Sequence, residues 1–249
     1  MRLHRLSLLL LSLAACAGPA SRGPAPEVAT FCLALMNDAT GGAAGLSERE
    51  VFEAHRRFLE EEASSGRVLA TGSFSARSGG ARGAMLLDLP DPGDAQRSVL
   101  QRDPAVEAGL LSAEVCSMVS LTVLRRLPAL EQARVERGEV AGASRRFLLV
   151  LAADGAAALE LVQHPAIAPS VLLLGRLGAP REGGLAALLD LERARELDVR
   201  LRIAGAAPPG WEVHEWFTTP AFGALAGEAL QGPHGQGPDG QPPSSSESK

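Results

Sequence analysis

The chain has 249 residues, 46% hydrophobic and 4% aromatic, with 24 Lys and Arg against 29 Asp and Glu, five His, three Cys and no Tyr. A mild acidic excess, with arginines scattered and not interleaved with aromatics, argues against a nucleic-acid-binding surface. The length suits one sizeable domain or two small ones.

The N-terminus opens with Arg2 and Arg5, an apolar run from Leu6 to Leu13, and then Leu13-Ala14-Ala15-Cys16. A basic start, a short apolar stretch and small residues before a cleavage site are the pattern of a secretory signal, here residues 1–15. The run is too short for a transmembrane helix, which needs roughly 20 apolar residues. Leu-Ala-Ala-Cys resembles a bacterial lipobox, in which Cys16 becomes the acylated first residue of the mature chain. An ordinary secretory signal with an incidental cysteine is the alternative. Ala17 in place of Asp points, by the same resemblance, to the outer membrane. The expected location is the bacterial cell envelope, lipid-anchored and facing the periplasm. Residues 16–27, rich in Pro, Gly, Ser and Ala, read as a tether.

Beyond the tether the chain states one pattern twice. Residues 28–124 read β-α-β-β-α-β, starting with an apolar strand from Thr30 to Met36. Ser47 with Glu50 makes a capping box for a helix that ends near Ser64 and Gly66. Strands from Val68 to Phe74 and from Ala84 to Leu89 flank a turn at Gly79-Gly80-Ala81-Arg82-Gly83. Asp91-Pro92 opens a helix to about Arg102, and a strand follows from Ala113 to Val123. Residues 125–144 form a linker with a short helical segment around Ala129 to Arg137.

Residues 145–220 repeat the order in compressed form. The strand from Phe147 to Ala152 leads to a helix from Gly155 to Gln163. Strands from Val171 to Leu177 and Leu185 to Leu191 follow, then a helix from Glu192 to Leu201 and a strand from Glu212 to Thr219. Gly66-Arg67-Val68-Leu69-Ala70-Thr71-Gly72 matches Pro169-Ser170-Val171-Leu172-Leu173-Leu174-Gly175, and Ala84 to Leu89 matches Ala186 to Leu191. Glu114-Val115-Cys116 aligns with Glu215-Trp216-Phe217. Residues 221–249 read as a disordered tail; from Gln231 onward it is Gly, Pro, Ser and Gln with almost nothing to bury.

The β-α-β-β-α-β order is the ferredoxin-like plan, with two helices on one face of an antiparallel sheet. The opposite face is bare, and burying it is worth roughly 25 cal/mol per Å². The expected fold is therefore α+β, two ferredoxin-like modules of the dimeric α/β-barrel type packed sheet to sheet as an intrachain pseudo-dimer. The protein is then a monomer in which the second copy supplies the partner.

His55 is the residue most able to carry chemistry. Val51, Phe52, Phe58 and Leu59 stand at offsets of three and four from it and share its helical face, so its ring is expected to point toward the sheet. Asp103, in Gln101-Arg102-Asp103-Pro104, is a candidate carboxylate partner. The counterparts in the second copy fall near Ala158 and Ala204. The blander reading makes His55 a hydrogen-bonded core residue and Asp103 an N-cap with Pro at the first helical position.

Ala54-His55, then Gly66 to Gly72, then Asp103-Pro104-Ala105-Val106 and Ala108-Gly109-Leu110 resemble, in order, the YciI-like (YCII-related) domain family. The resemblance covers roughly Phe31 to Leu121, and the second copy resembles a decayed member. It implies a ferredoxin-like fold that dimerises through its sheets, and a pocket lined by a His–Asp pair, here His55 and Asp103. Gly72 and Ser73 would stand beside that pocket as substrate-binding positions, Gly72-Ser73 replacing the family's usual Gly-Pro. In the implied chemistry His55 is a general acid–base oriented by Asp103, in a lyase- or hydrolase-type reaction on a small aromatic or carbonyl-containing molecule. A dehydrochlorinase of chlorinated hydroxyquinols is among the few members with an assigned reaction. The alternative is an envelope protein that binds a small ligand or protein partner without turnover.

Cys32 and Cys116 lie on strands expected to be neighbours, in an oxidising compartment, so a disulfide forms if they fall opposite one another. Otherwise they are two small buried hydrophobes, with Leu148 and Phe217 at the matching places. No metal set is present: His4, His164, His214 and His234 are scattered. No glycine loop of the phosphate-cradling kind follows a strand into a helix, and no cofactor is expected.

Overall fold

The computed structural model describes residues 27–39, 47–75, 80–191 and 210–230. Strand β1 (Val28–Asp38) is buried on both faces: Phe31, Leu33 and Leu35 point one way, Cys32, Ala34 and Met36 the other. That double burial explains its unbroken apolar run. Helix α1 (Glu48–Ser64) starts at the expected capping box, with the Ser47 hydroxyl accepting from the Glu50 N–H and the Glu50 carboxylate accepting from the Ser47 N–H. Gly66, at φ +79°, turns the chain out of the helix. Strands β2 (Val68–Phe74) and β3 (Ala81–Leu87) follow. The short helices α2 (Pro92–Ser98) and α3 (Pro104–Glu107) are capped by Asp91 and Asp103, and each has Pro at its start. Strand β4 (Leu111–Leu121) completes the first half.

Helix α4 (Leu127–Glu136) leads to β5 (Arg145–Ala152), α5 (Gly155–Val162), β6 (Val171–Leu177), β7 (Leu185–Asp190) and β8 (Trp211–Thr218). The helix expected from Glu192 to Leu201, and with it Ala204, lies outside the described residues. Of the tail expected to be disordered from residue 221, Ala221–Leu230 is helix α6. Ala221, Phe222 and Leu225 are buried in the main core, so the ordered unit extends past the expected boundary at 220. Residues 231–249 lie outside the described residues. None of the described helices is long and apolar enough to cross a membrane.

The sheet is one closed barrel of eight antiparallel strands in the order β1-β3-β2-β8-β5-β7-β6-β4. This overturns the expectation of two ferredoxin-like modules stacked sheet on sheet. The halves join edge to edge, β2 against β8 and β4 against β6. Stacked sheets would have covered the bare faces and left four strand edges with unpaired N–H and C=O groups. Closure covers the faces and pairs the edges together.

The two seams follow one design. At the first, a Cβ on Gly72 would stand 2.1 Å from the Phe217 carbonyl oxygen and 2.7 Å from Trp216 Nε1. At the second, a Cβ on Gly175 would stand 2.4 Å from both Cγ and Sδ of Met118. Gly72 and Gly175 are the matched residues of the repeat, and each is roofed by a bulky side chain from the other half's last strand. The repeat also carries a matching irregularity in the ladder, at Val68/Ala70 and at Val171/Leu173. Trp216 is therefore the equivalent of Met118. The alignment of Glu114-Val115-Cys116 with Glu215-Trp216-Phe217 is thus out of register: Cys116 faces inward and its counterpart is His214, not Phe217.

Inside the barrel Phe31, Leu33, Leu35, Phe147, Leu149 and Trp216 form a shared core. Separate outer layers sit beneath the helices of each half. One barrel end is stoppered by apolar residues: Leu124 in the 3₁₀ turn Thr122–Arg126, Leu127 at the start of α4, and Phe222 of α6, whose ring lies 5.6 Å from Trp216 and 5.9 Å from Phe147.

Gly72→Val forces a side chain into backbone and the Trp216 ring. It should lower the free energy of unfolding by about 1–3 kcal/mol or more, as overpacked sites do. A urea midpoint equal to that of the parent would contradict the seam assignment.

Candidate active site

His55 and Asp103 are brought together from elements 48 residues apart. Two features of local sequence do this. Asp103 ends the 3₁₀ turn Leu100–Arg102 with extended backbone and caps α3, its Oδ1 accepting the Ala105 N–H at 2.9 Å. The rigid Pro104 at the first helical position sets the direction of that carboxylate. His55 projects from α1 onto it, with Nδ1 at 2.7 Å from Oδ1 and 2.9 Å from Oδ2. Both readings of Asp103, cap and histidine partner, hold at once.

Asp103 is fully buried, and the side chain of His55 is 17% exposed. A carboxylate between two donors accepts only, so Nδ1 carries the proton of the neutral ring. Nε2 then presents a lone pair, and among the described residues it has no hydrogen-bond partner. The ring of Phe52 meets His55 edge-on, at 6.2 Å between centroids and 85° between planes. Phe52 is 43% exposed, so only part of the expected apolar helical face is covered; Val51 and Phe58 are buried. The pair thus offers a fixed tautomer, one unpartnered ring nitrogen and an adjacent aromatic ring.

Gly72 and Ser73 do not join it. His55 and Asp103 belong to the outer layer of the first half, around Val51, Val99, Leu100 and Ala105. A side chain at Gly72 would point instead into the barrel, against Trp216, so this glycine serves the seam. Ser73 alternates to the outside and is exposed. Ala158, near the place of His55 in the second half, is buried. Cys16 lies outside the described residues.

The disulfide is not formed. Cys32 pairs with Ser117, and Cys116 with Leu33, so the two cysteines are one residue out of register. Side chains alternate along a strand, and this single step places the thiols on opposite faces, Cys32 in the outer layer and Cys116 inside the barrel. Both are free and buried. Burial pushes the Cys32 thiol up to about 12 and that of Cys116 up to about 11.

A polar group at one mouth of the barrel, of which only His214 is buried, was not legible in the sequence: Glu114, Arg181, Glu212 and His214. His214 is buried, and burial moves it below its ordinary value, with Glu212 opposing and Arg181 assisting. Alternation along β8 places Glu212, His214 and Trp216 on one face, and that was the available signal. Among the described residues no group of three or more His, Cys, Asp and Glu is arranged to hold a metal ion.

If the thiols are separated as described, intact mass will be identical with and without reductant. Both will resist alkylation until the chain is unfolded. A two-proton mass difference, or labelling of either thiol in the folded state at neutral pH, would count against this geometry.

No family model matches the sequence, and no curated protein matches it. Solved structures with a similar chain path include variants of chlorite dismutase from Candidatus Nitrospira defluvii. Two are each 13% identical, over 82% of this chain and 97% of theirs, with TM-scores of 0.46 and 0.48. A third is 11% identical, over 80% of this chain and 94% of its own, with a TM-score of 0.45.

Proposed function

We propose that this is a lipid-anchored protein of the bacterial cell envelope whose first half is a YciI-like domain binding a small molecule at His55–Asp103. The observation that carries the site is the grip of one fully buried carboxylate on Nδ1 through both its oxygens. That grip fixes the tautomer, so a ligand meets a lone pair at Nε2 and must bring an O–H or N–H to it. The exposed edge of Phe52 offers apolar surface beside that contact. Kinship with YciI-like domains is supported by the ordered run of Ala54-His55, Gly66 to Gly72 and Asp103-Pro104.

A second reading, turnover by general acid–base chemistry, is favoured by the same orientation. A histidine held by a buried carboxylate at one nitrogen can take a proton at the other and return it. In that case Nε2 removes a proton from the bound molecule and hands it to a leaving group, while Asp103 keeps the ring in place and does not itself change protonation.

The anchor rests on Leu13-Ala14-Ala15-Cys16. Palmitate supplied to cells should label the protein, and Cys16→Ser should abolish the label and release the chain from the membrane fraction. Persistent labelling of the Ser variant would remove the lipoprotein proposal.

For the site, thermal shifts against small hydroxylated, carbonyl and chloroaromatic compounds should yield a binder. Loss of one hydrogen bond, worth about 1 kcal/mol, weakens that binder roughly five- to tenfold in His55→Ala and also in Asp103→Asn, where the tautomer is no longer fixed. Undiminished binding by both variants would dismiss the site. Product formation with the parent and none with His55→Ala would favour turnover over simple binding.

A further inference from the structure

At the barrel end opposite the apolar stopper, a belt of inward-facing side chains crosses the mouth. Glu114 stands on β4, one position outward from Cys116 along the same face. Arg181, in the turn after β6, pairs with Glu114 and reaches Glu212 Oε1 on β8 at 2.9 Å. The other oxygen of Glu212 lies 3.3 Å from His214 Nε2. His214 in turn stacks on Phe74 of β2, with 4.3 Å between centroids and 8° between planes. Glu114 and Phe74 belong to the first half and the other three to the second. The belt therefore bridges both seams at one end.

Both seams are short, and that of β4 and β6 is the shorter, two ladder pairs against three for β2 and β8. β4 and β6 pair only through Met118↔Leu177 and Val119↔Arg176, supplemented by Gly178 N–H to the Ser117 carbonyl at 2.8 Å and the Ser120 hydroxyl to the Leu174 carbonyl at 2.7 Å. By contrast β1 and β4 pair along eleven residues. Arg181 stands just past the end of the short ladder and ties it across to Glu114.

We propose that this belt is an acid-sensitive latch, in which a proton taken up by His214 weakens the hold of Arg181 on Glu212 and Glu114 and lets the β4–β6 seam part. A carboxylate only accepts, so His214 Nε2 carries the proton donated to Glu212 and Nδ1 is a bare lone pair. That Nδ1 is buried and has no hydrogen-bond partner. Protonation there creates a buried cation with an N–H that nothing accepts.

The charged groups that act on the ring are Glu212 on its own strand and Arg181 from the β6–β7 turn; Glu114, facing inward from β4 beyond the neutral Cys116 thiol, is held by Arg181. From β2 comes only the face of Phe74, and β5 contributes Leu149, its ladder partner. Glu212 and the Phe74 ring favour the imidazolium; burial and Arg181 oppose it, and burial dominates. A second cation beside Glu212 also competes with Arg181 for the one carboxylate, and parting the seam relieves both.

The direction in pH follows. Latched, His214 titrates below its ordinary 6.5; opened, it regains that value. The latch therefore holds fully above about pH 6.5 and weakens as the pH falls toward the latched-state value. Across that window the opened form holds up to one more proton, and opening rises with falling pH by at most about tenfold per unit.

Hydrogen exchange of the full chain, read from about pH 7.5 to about 5.5 and corrected for intrinsic rates, tests this. The amides bonded across the seam, Gly178 to the Ser117 carbonyl and, by strand alternation, Val119 and Arg176, should lose protection below about pH 6.5 by up to about tenfold per unit, while the β1–β3 and β5–β7 ladders keep theirs. His214→Gln should flatten that profile, and Arg181→Gln should speed seam exchange already at neutral pH. A flat seam in the parent chain, seam loss running parallel to the β5–β7 ladder, or an unchanged slope in His214→Gln would each overturn the latch. If His214→Gln does not fold, the comparison of ladders within the parent chain decides alone.

Discussion

Barrel closure depends on two close approaches: Trp216 over Gly72 and Met118 over Gly175. A four-stranded sheet with one bare face has two unsolved problems, its apolar surface and its open edges. Gly72 and Gly175 solve both, because the missing side chain lets the other half's last strand come close enough to share a ladder while a bulky residue fills the interior. Thr218 strengthens the first seam, its hydroxyl donating to the Thr71 carbonyl at 2.8 Å. Once the edges are joined, the inner faces form one core, and each half's helices stay on the outside with a separate layer beneath them.

That partition decides where chemistry sits. The His55–Asp103 pair lies in the outer layer of the first half, screened from the barrel interior by the sheet. Asp103 is buried without exposed surface, a costly place for a carboxylate unless its lone pairs are used. They are used by the Ala105 N–H and His55 Nδ1, so the residue that orients the histidine is also the one that starts α3. Stability and site geometry are thereby tied to a single side chain.

Much of this was legible in sequence wherever one local rule decided the outcome. The capping box at Ser47 and Glu50, the Asp-Pro starts of α2 and α3, and the matched runs around Gly72 and Gly175 each follow from backbone chemistry within a few residues. Edge joining was not legible, because an apolar face and an open edge leave the same hydrophobic pattern in the chain. The Cys32 and Cys116 geometry failed for a related reason: both strands carry buried residues on both faces, so no polar alternation marks which parity points inward. The slip by three, an odd number that reverses the parity, which set Cys116 against Phe217 has the same origin. Phe52 follows the helical period yet remains half exposed, since periodicity gives a direction and says nothing of how far the neighbouring layer extends.

Correcting the register changes what the second half means. In the proper alignment Glu114, Cys116 and Met118 correspond to Glu212, His214 and Trp216, all facing inward. The second half has Ala158 near the place where the first has His55, yet it carries an imidazole and an indole in the interior where the first has a thiol and a thioether. A neutral thiol costs little to bury, and an imidazole nitrogen left unpaired costs about 1–3 kcal/mol. Leu or Val at position 214 would pack beneath Phe74 with no lone pair to satisfy. His214, with Glu212 and Arg181 arranged around it, marks the inner face of this half as the place where its polar chemistry is concentrated. The duplication reads better as a division between an outer and an inner face than as one working copy beside a spent one.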